Sequence, residues 1–308
     1  MNPLPTVAVI AGPTASGKTA LALAIAKEIP SEIISADSRQ LFRHLTIGTA
    51  KPSDRELMQA PHHFIDCRNP DKKFNAGDFQ SEGRNVISQI LKRKHLPLIV
   101  GGTGLYIRAV IDGFFDQPEI SGDVRKKLEK KLAAEGKDAL FKELTSIDPE
   151  SAATMDATKY RRVIRALEVY YETGTPISQF HLQHSIQKIY DAKFFGLRWE
   201  RNALYERINL RVERMLAAGF LEEVKKLQEM GFDDRYQSLQ TVGYKEAFAF
   251  LRNEISKERM IELMKQNTRR FAKRQMTWFR KEERITWFDI SSDDQFDSIS
   301  QKIAAMVK

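Results

Sequence analysis

The stretch TVAVIAGPTASGKTALALAIAKEI, Thr6 to Ile29, limits what this chain can fold into more than any other segment. Thr6 to Ala11 is a short apolar run with the length of a buried strand, and it stops at a glycine. Gly12-Pro13-Thr14-Ala15-Ser16-Gly17-Lys18-Thr19 then fits G-x-x-x-x-G-K-[ST]. Lys18 to Ile29, rich in alanine and leucine, reads as a helix that Pro30 ends. Strand, glycine loop and helix in that order make a phosphate site. The glycines let backbone N–H groups turn inward, the helix N-terminus adds positive potential, and Lys18 reaches terminal phosphate oxygens. The Thr19 hydroxyl is the expected ligand of a Mg2+ bridging those oxygens. The loop alone fits either phosphoryl transfer or the holding of a diphosphate that departs.

The strand-to-helix alternation continues. Ser31 to Ala36 reads as a second strand, Gly77 to Lys94 as an amphipathic helix, and Leu96 to Gly102 as a buried strand that again meets glycine. Such alternation implies a parallel sheet wound by helices. The pattern changes near Phe114, and from Ser121 to about Gln187 the chain is charged and helical. Lys193 to Trp199 resumes as a strand, helices follow to about Glu283, Arg284 to Ile290 is a last strand, and a short helix closes the chain. The reading is an α/β chain: a P-loop NTPase-like parallel sheet wound by helices forms the core from residues 1–113 and 194–308. A helical insertion domain occupies residues 114–193. There are no internal repeats.

Forty-nine Lys and Arg against forty-one Asp and Glu leave a net charge of +8, which favours an acidic partner such as a nucleic acid. Much of it comes from Lys265 to Lys281, seven basic residues with no acidic one. Arg270, Lys273, Arg274, Thr277 and Arg280 recur there at helical spacing, so one face is basic: a phosphate-backbone footprint or a solvated surface. Phe271 and Trp278 fall on a neighbouring face and are expected to pack rather than to stack on bases. The single cysteine, Cys67, excludes an internal disulfide, fits a reducing compartment and is expected to be inert. No apolar run reaches the roughly 18 residues of a membrane span, and the N-terminus has no signal pattern. A cytoplasmic protein without membrane contact is expected.

Asp37 stands at the carboxyl end of the second strand, where it either faces the ligand crevice of such sheets or caps the turn that follows. The adjacent His62 and His63 point to opposite faces if extended, which makes them poor joint ligands for one metal. The glycine turn Gly101 to Tyr106 serves close backbone approach to a ligand or simple packing. Arg161, Arg162 and Arg165 lie off the apolar stripe of their helix, as RNA contacts or as a solvated face.

Taken in order, GPTASGKT, DSRQ, IGTAKP, HHFID, GGTGLY, RRVIRALEVY, VGYKE and KRQMTWFR resemble the tRNA dimethylallyltransferases, from Gly12 to Arg280. Leu41-Phe42 stands where the family often has Val-Tyr, and Arg161 where Gln is common. The zinc-finger extension of eukaryotic members does not follow, so the bacterial form is expected. The resemblance implies transfer of the dimethylallyl group of dimethylallyl diphosphate to N6 of the adenosine 3′ of the anticodon. It implies Asp37 as general base, with Thr14 and Lys18 also catalytic. Gly12, Pro13, Thr14, Ala15, Ser16, Gly17, Lys18, Thr19 and Arg211 would hold the diphosphate, with Mg2+ on Thr19. Asp37, Ser38, Arg39, Gln40, Thr103, Arg125, Arg161, Arg162, Val163, Ile164 and Arg165 would contact the tRNA anticodon stem-loop. A monomer is expected. Three rivals are a P-loop small-molecule kinase, an enzyme prenylating free adenine nucleotides, and a non-catalytic RNA-binding protein. The first two leave the basic helix with little use, and the third does not need Lys18, Thr19 and Asp37 together.

Overall fold

Every strand pairing in the sheet is parallel, in the order β3-β2-β4-β1-β5-β6. The strands are β1 Thr6–Ala11, β2 Ser31–Ser35, β3 His62–His63, β4 Leu96–Gly101, β5 Asp191–Trp199 and β6 Ile285–Ile290. In this computed structural model the described residues are 3–114, 121–183 and 188–307. Parallel neighbours cannot be joined by hairpins, so helices cross back between them and cover both faces. That is why β1 has no polar face: Val7, Ala8, Val9 and Ile10 are all fully buried.

Ala8 and Ile10 join a core with Leu21 and Ile25 of helix Lys18–Glu28 and with Ile299 and Ile303 of helix Phe296–Val307. Helix Ala76–Lys92 buries Phe79, Ile87 and Ile90, and the Phe79 ring stacks on Tyr106 of helix Gly104–Ile111 at 4.6 Å. Truncating Phe79 to alanine should cost about 3–5 kcal/mol. The first helix ends where the chain dictates. Pro30 forces the preceding residue out of the helical region, and Ile29 is extended at φ −143°. Among the described residues, no helix is long and apolar enough to cross a membrane.

The chain divides into two compact units, Met1–Ile111 with Lys188–Lys308, and Asp112–Gln187. The second unit is helical in its described residues; positions 184–187, at the end of the expected helical stretch, lie outside them. Helix Gly122–Ile147, broken at Gly136, packs Leu128, Leu140 and Leu144 against helix Tyr160–Thr173. Val163 and Ile164 of that second helix are 0% and 4% exposed. Their side chains belong to this core, because the apolar stripe that folds the helix consumes them. Arg161 and Arg162 are exposed. Arg125 and Arg165 both pair with the buried Glu168, at 3.1 and 3.5 Å.

Candidate active site

Three neighbouring strands of the sheet, β2, β4 and β1, lead within two residues into Asp37, Thr103 and the phosphate loop respectively. At the usual strand spacing, β2 and β1 lie about 10 Å apart, room for a small substrate between a carboxylate and a phosphate site. Thr14, Asp37, Ser38, Arg39, Thr103 and Arg211 all line one cavity of about 410 Å³ at this edge.

The phosphate loop is held from outside. Ala15 and Gly17 take left-handed φ values of 63° and 90°, which fold the loop back over the start of helix Lys18–Glu28. Two of its carbonyls are anchored: Trp199 Nε1 donates to Ser16 O at 3.0 Å, and Arg207 Nε donates to Ala15 O at 3.0 Å. The Arg207 guanidinium also lies 4.1 Å over the Trp199 ring. Ser16 Oγ is buried without a hydrogen-bond partner among the described residues, as an oxygen reserved for a ligand would be. Lys18 Nζ donates to Pro13 O at 2.7 Å, which keeps the ammonium over the loop.

The electrostatics favour an anion. Burial pushes the Lys18 ammonium down to about 8 from its usual 10.5, against the pull of Asp37 and with the push of Arg211. Burial also lowers Arg39 and Arg211, opposed in each case by Asp37. Three desolvated cations, Lys18, Arg39 and Arg211, therefore lie within electrostatic reach of Asp37, an environment that suits an anion.

Asp37 has a double role. Its Oδ1 accepts from the backbone of Arg39 at 2.8 Å and of Gln40 at 3.4 Å, so it does cap the following turn. The turn fixes the carboxylate in the cavity wall through Oδ1 and leaves Oδ2 outside these two hydrogen bonds. Ser38 N–H donates to Thr103 Oγ1 at 3.1 Å, and Thr103 N–H donates to Ala36 O at 3.1 Å, so the ends of β2 and β4 are tied together. Gln40 works inside the loop: its amide accepts from Ser35 Oγ at 2.9 Å and donates to Ala50 O at 3.1 Å. Arg211 Nη2 reaches Thr49 O at 3.4 Å.

Several motif residues prove to be the frame around this cavity. Glu223 accepts three successive backbone N–H groups, from Thr46, Ile47 and Gly48, at 2.7–3.1 Å, and a fourth bond from Tyr244 Oη at 2.6 Å. A carboxylate in a backbone nest is the internal counterpart of an anion site. Gly48 can be nothing larger, since a Cβ there would sit 2.5 Å from both Phe220 and Tyr244. His62 and His63 form β3; His63 Nε2 donates to Glu32, as do His95 and Arg93, at 2.7–2.9 Å. No group of three or more His, Cys, Asp or Glu able to hold a metal occurs among the described residues. Cys67 is half-buried, and burial pushes its thiol up, consistent with an unreactive residue.

The basic stretch lies on helix Lys257–Phe279, with Arg270, Lys273 and Arg274 exposed. Its aromatics differ from the expectation. Trp278 does pack, over Gly104, yet it remains 37% exposed, and Phe271, 39% exposed, lines the cavity beside Arg274. The same helix supplies a residue that the sequence reading missed. Gln275 Oε1 accepts from Thr14 N–H at 2.8 Å, and its Nε2 donates to Gly102 O at 3.0 Å. Trp199 and Arg207 were missed as well, although Arg207 lies one helical turn before Arg211 and so shares its face.

The chain is similar to known proteins. A family model described as IPP transferase matches residues 40–282. The chain is 42% identical over 296 residues to the tRNA dimethylallyltransferase of Alkaliphilus oremlandii, covering 96% of this chain and 95% of that one. The crystal structure of the full-length tRNA isopentenylpyrophosphate transferase from Bacillus halodurans superposes with a TM-score of 0.72 at 40% identity, over 98% of this chain and 96% of that one. The crystal structure of a eukaryotic dimethylallyltransferase acting on tRNA matches at TM-score 0.85 and 29% identity, over 97% of this chain and 77% of that one. A strand-loop-helix phosphate site, a carboxylate two strands away and these relatives together place the chain in the IPP transferase family, the tRNA dimethylallyltransferases.

Proposed function

We propose that the protein transfers the dimethylallyl group of dimethylallyl diphosphate to N6 of the adenosine 3′ of the anticodon in tRNA, releasing diphosphate. The observation that carries this reading is one cavity lined by Asp37 after one strand, Thr14 after another, and Arg211 from helix Arg201–Ala217. An adenine amino group is a weak nucleophile because its lone pair is delocalised into the ring. As the N6–C1 bond forms and the C1–O bond breaks, Asp37 takes the N6 proton, and the diphosphate oxygen leaves with the electron pair. The growing negative charge on that oxygen meets Lys18, Arg211 and the N–H groups of Ala15, Gly17, Lys18 and Thr19, with Thr14 in the cavity wall beside them. Unpartnered Ser16 Oγ suits a phosphate oxygen.

A Mg2+ fits the donors present. Thr19, in the first turn of its helix, offers one hard oxygen, and the absence of an acidic cluster among the described residues matches an ion held chiefly by substrate phosphates and water. Such an ion would neutralise charge on the departing diphosphate.

The target base must leave the anticodon loop, at a cost of a few kcal/mol that is least in an unpaired loop. Ser38, Arg39 and Thr103 line the cavity beside Asp37 and receive the base. Arg125, Arg161, Arg162 and Arg165 of the helical insertion, with the exposed Arg270, Lys273 and Arg274, bind the RNA backbone. We take the protein to act as a monomer in the cytoplasm, a reducing compartment that the lone Cys67 suits. The test is a comparison of acceptors: unmodified tRNA and free AMP, each with labelled dimethylallyl diphosphate and Mg2+ but no ATP. Label in tRNA and not in AMP is expected; label in AMP alone would overturn the assignment of the acceptor.

A further inference from the structure

Gln275 occupies an unusual position. It is 7% exposed, lies on a helix remote in sequence from the phosphate loop, and uses both ends of its carboxamide. Its Oε1 holds the N–H of Thr14, and its Nε2 holds the carbonyl of Gly102. The contact is tight: a Cβ on Gly102 would lie 2.0 Å from Gln275 Nε2, so a larger residue there would have to displace the carboxamide.

The connection continues to the base. Gly102 precedes Thr103, whose Oγ1 accepts from Ser38 N–H, and Ser38 follows Asp37. One hydrogen-bonded path therefore runs from Thr14, through the Gln275 amide, across the end of β4, to the turn that carries Asp37. We infer that Gln275 is a positioning residue: it fixes Thr14 of the phosphate loop at a set separation from Asp37, and acts on the reaction through Thr14. An in-line displacement needs the nucleophile, the allylic carbon and the leaving oxygen held in one geometry. The carboxamide suits this task because it is planar, neutral at every working pH, and both donor and acceptor. A carboxylate could not donate to Gly102 O, and a lysine could not accept from Thr14.

The inference rests on the transfer reaction proposed above, so its test has an arm that does not. The variants are Gln275→Met, close in volume but without hydrogen bonds, and Gln275→Glu, whose neutral acid form restores both. In Gln275→Met, kcat should fall about 10–100-fold while KM for each substrate moves less than about threefold. Combined with Thr14→Ala, the two losses should be far less than multiplicative, since both act through Thr14. The activity of Gln275→Glu relative to wild type should rise as pH is lowered and the carboxyl is protonated. Independently of any reaction, the Thr14 amide proton should exchange with solvent at least about tenfold faster in Gln275→Met, with Ile10 on β1 unchanged. Failure of the acceptor assay with faster Thr14 exchange would count against the reaction and not against the anchor. Losses that multiply, a flat Gln275→Glu ratio, or unchanged Thr14 exchange would each overturn the inference.

Discussion

Lys18 gives the sharpest prediction. Its ammonium titrates near 8 instead of 10.5 because the loop buries it, which corresponds to about 3 kcal/mol of unfavourable burial in the charged form. A bound diphosphate supplies the missing counter-charge and restores the ordinary preference for protonation. Binding must therefore be accompanied by proton uptake at any pH where free Lys18 is neutral. Affinity for inorganic diphosphate with Mg2+ should be level near pH 7 and then fall about tenfold per pH unit above 8, reaching roughly 30-fold weaker binding by about pH 9.5. The stability of the free protein moves the other way. Between about 8 and 10.5 the unfolded chain holds more protons on this lysine than the native one, so this group makes the protein more stable as pH rises. Isothermal titration at several pH values, in buffers of different ionisation enthalpy, reads both affinity and protons taken up. Lys18→Met should bind weakly with no such slope. A wild-type affinity that stays flat from pH 7 to 9.5, or an equal decline in Lys18→Met, would refute the reasoning.

Three other outcomes are expected. Asp37→Asn should lower transfer by about 10²–10⁴-fold, with tRNA affinity by filter binding held within about threefold, because the amide preserves the turn but accepts no proton; an equal loss of affinity would make Asp37 mainly an RNA contact. Arg93, then His63 and His95, hold the buried Glu32 carboxyl down to about 2 from 4.5. Its contribution, about 3 kcal/mol, is therefore complete above about 4.5 and lost as pH falls toward 2, so acid melts of Glu32→Gln should lose that pH dependence. Replacing Arg270, Lys273 and Arg274 with glutamine should flatten the salt dependence of tRNA binding by about two to three charges, and an unchanged slope would make them a solvated face.

The parallel sheet was legible because its strands are continuous apolar runs broken by Gly and Pro, as in Thr6–Ala11 before Gly12 and Leu96–Gly101 before Gly102. The β3 pairing of His62 and His63 was not, since two residues carry no period. In the site, Lys18 and Asp37 could be read from a loop pattern and a strand end, because local geometry decides both. Gln275, Glu223 and Trp199 could not. Each acts across more than 170 residues of chain, and nothing in the local pattern of a helix says which distant carbonyl or N–H its side chain will meet. The glycines of GGTGLY show the same limit. Two readings were open, and the tertiary fold resolved them: Gly102 and Gly104 admit Gln275 and Trp278, while Thr103 faces the cavity. In RRVIR the local pattern does separate roles: the apolar Val163 and Ile164 fold the helix, while Arg161 and Arg162 remain outside.

The central claim is that the phosphate loop grips a leaving group rather than a nucleotide consumed for energy. The most direct measurement is a mass balance on one reaction of the protein with unmodified tRNA, dimethylallyl diphosphate and Mg2+, with ATP omitted. Digestion of the tRNA and mass spectrometry should find N6-dimethylallyladenosine at the position 3′ of the anticodon, with one diphosphate released per group transferred. An absolute need for ATP with formation of ADP, or release of diphosphate without modified adenosine, would contradict it.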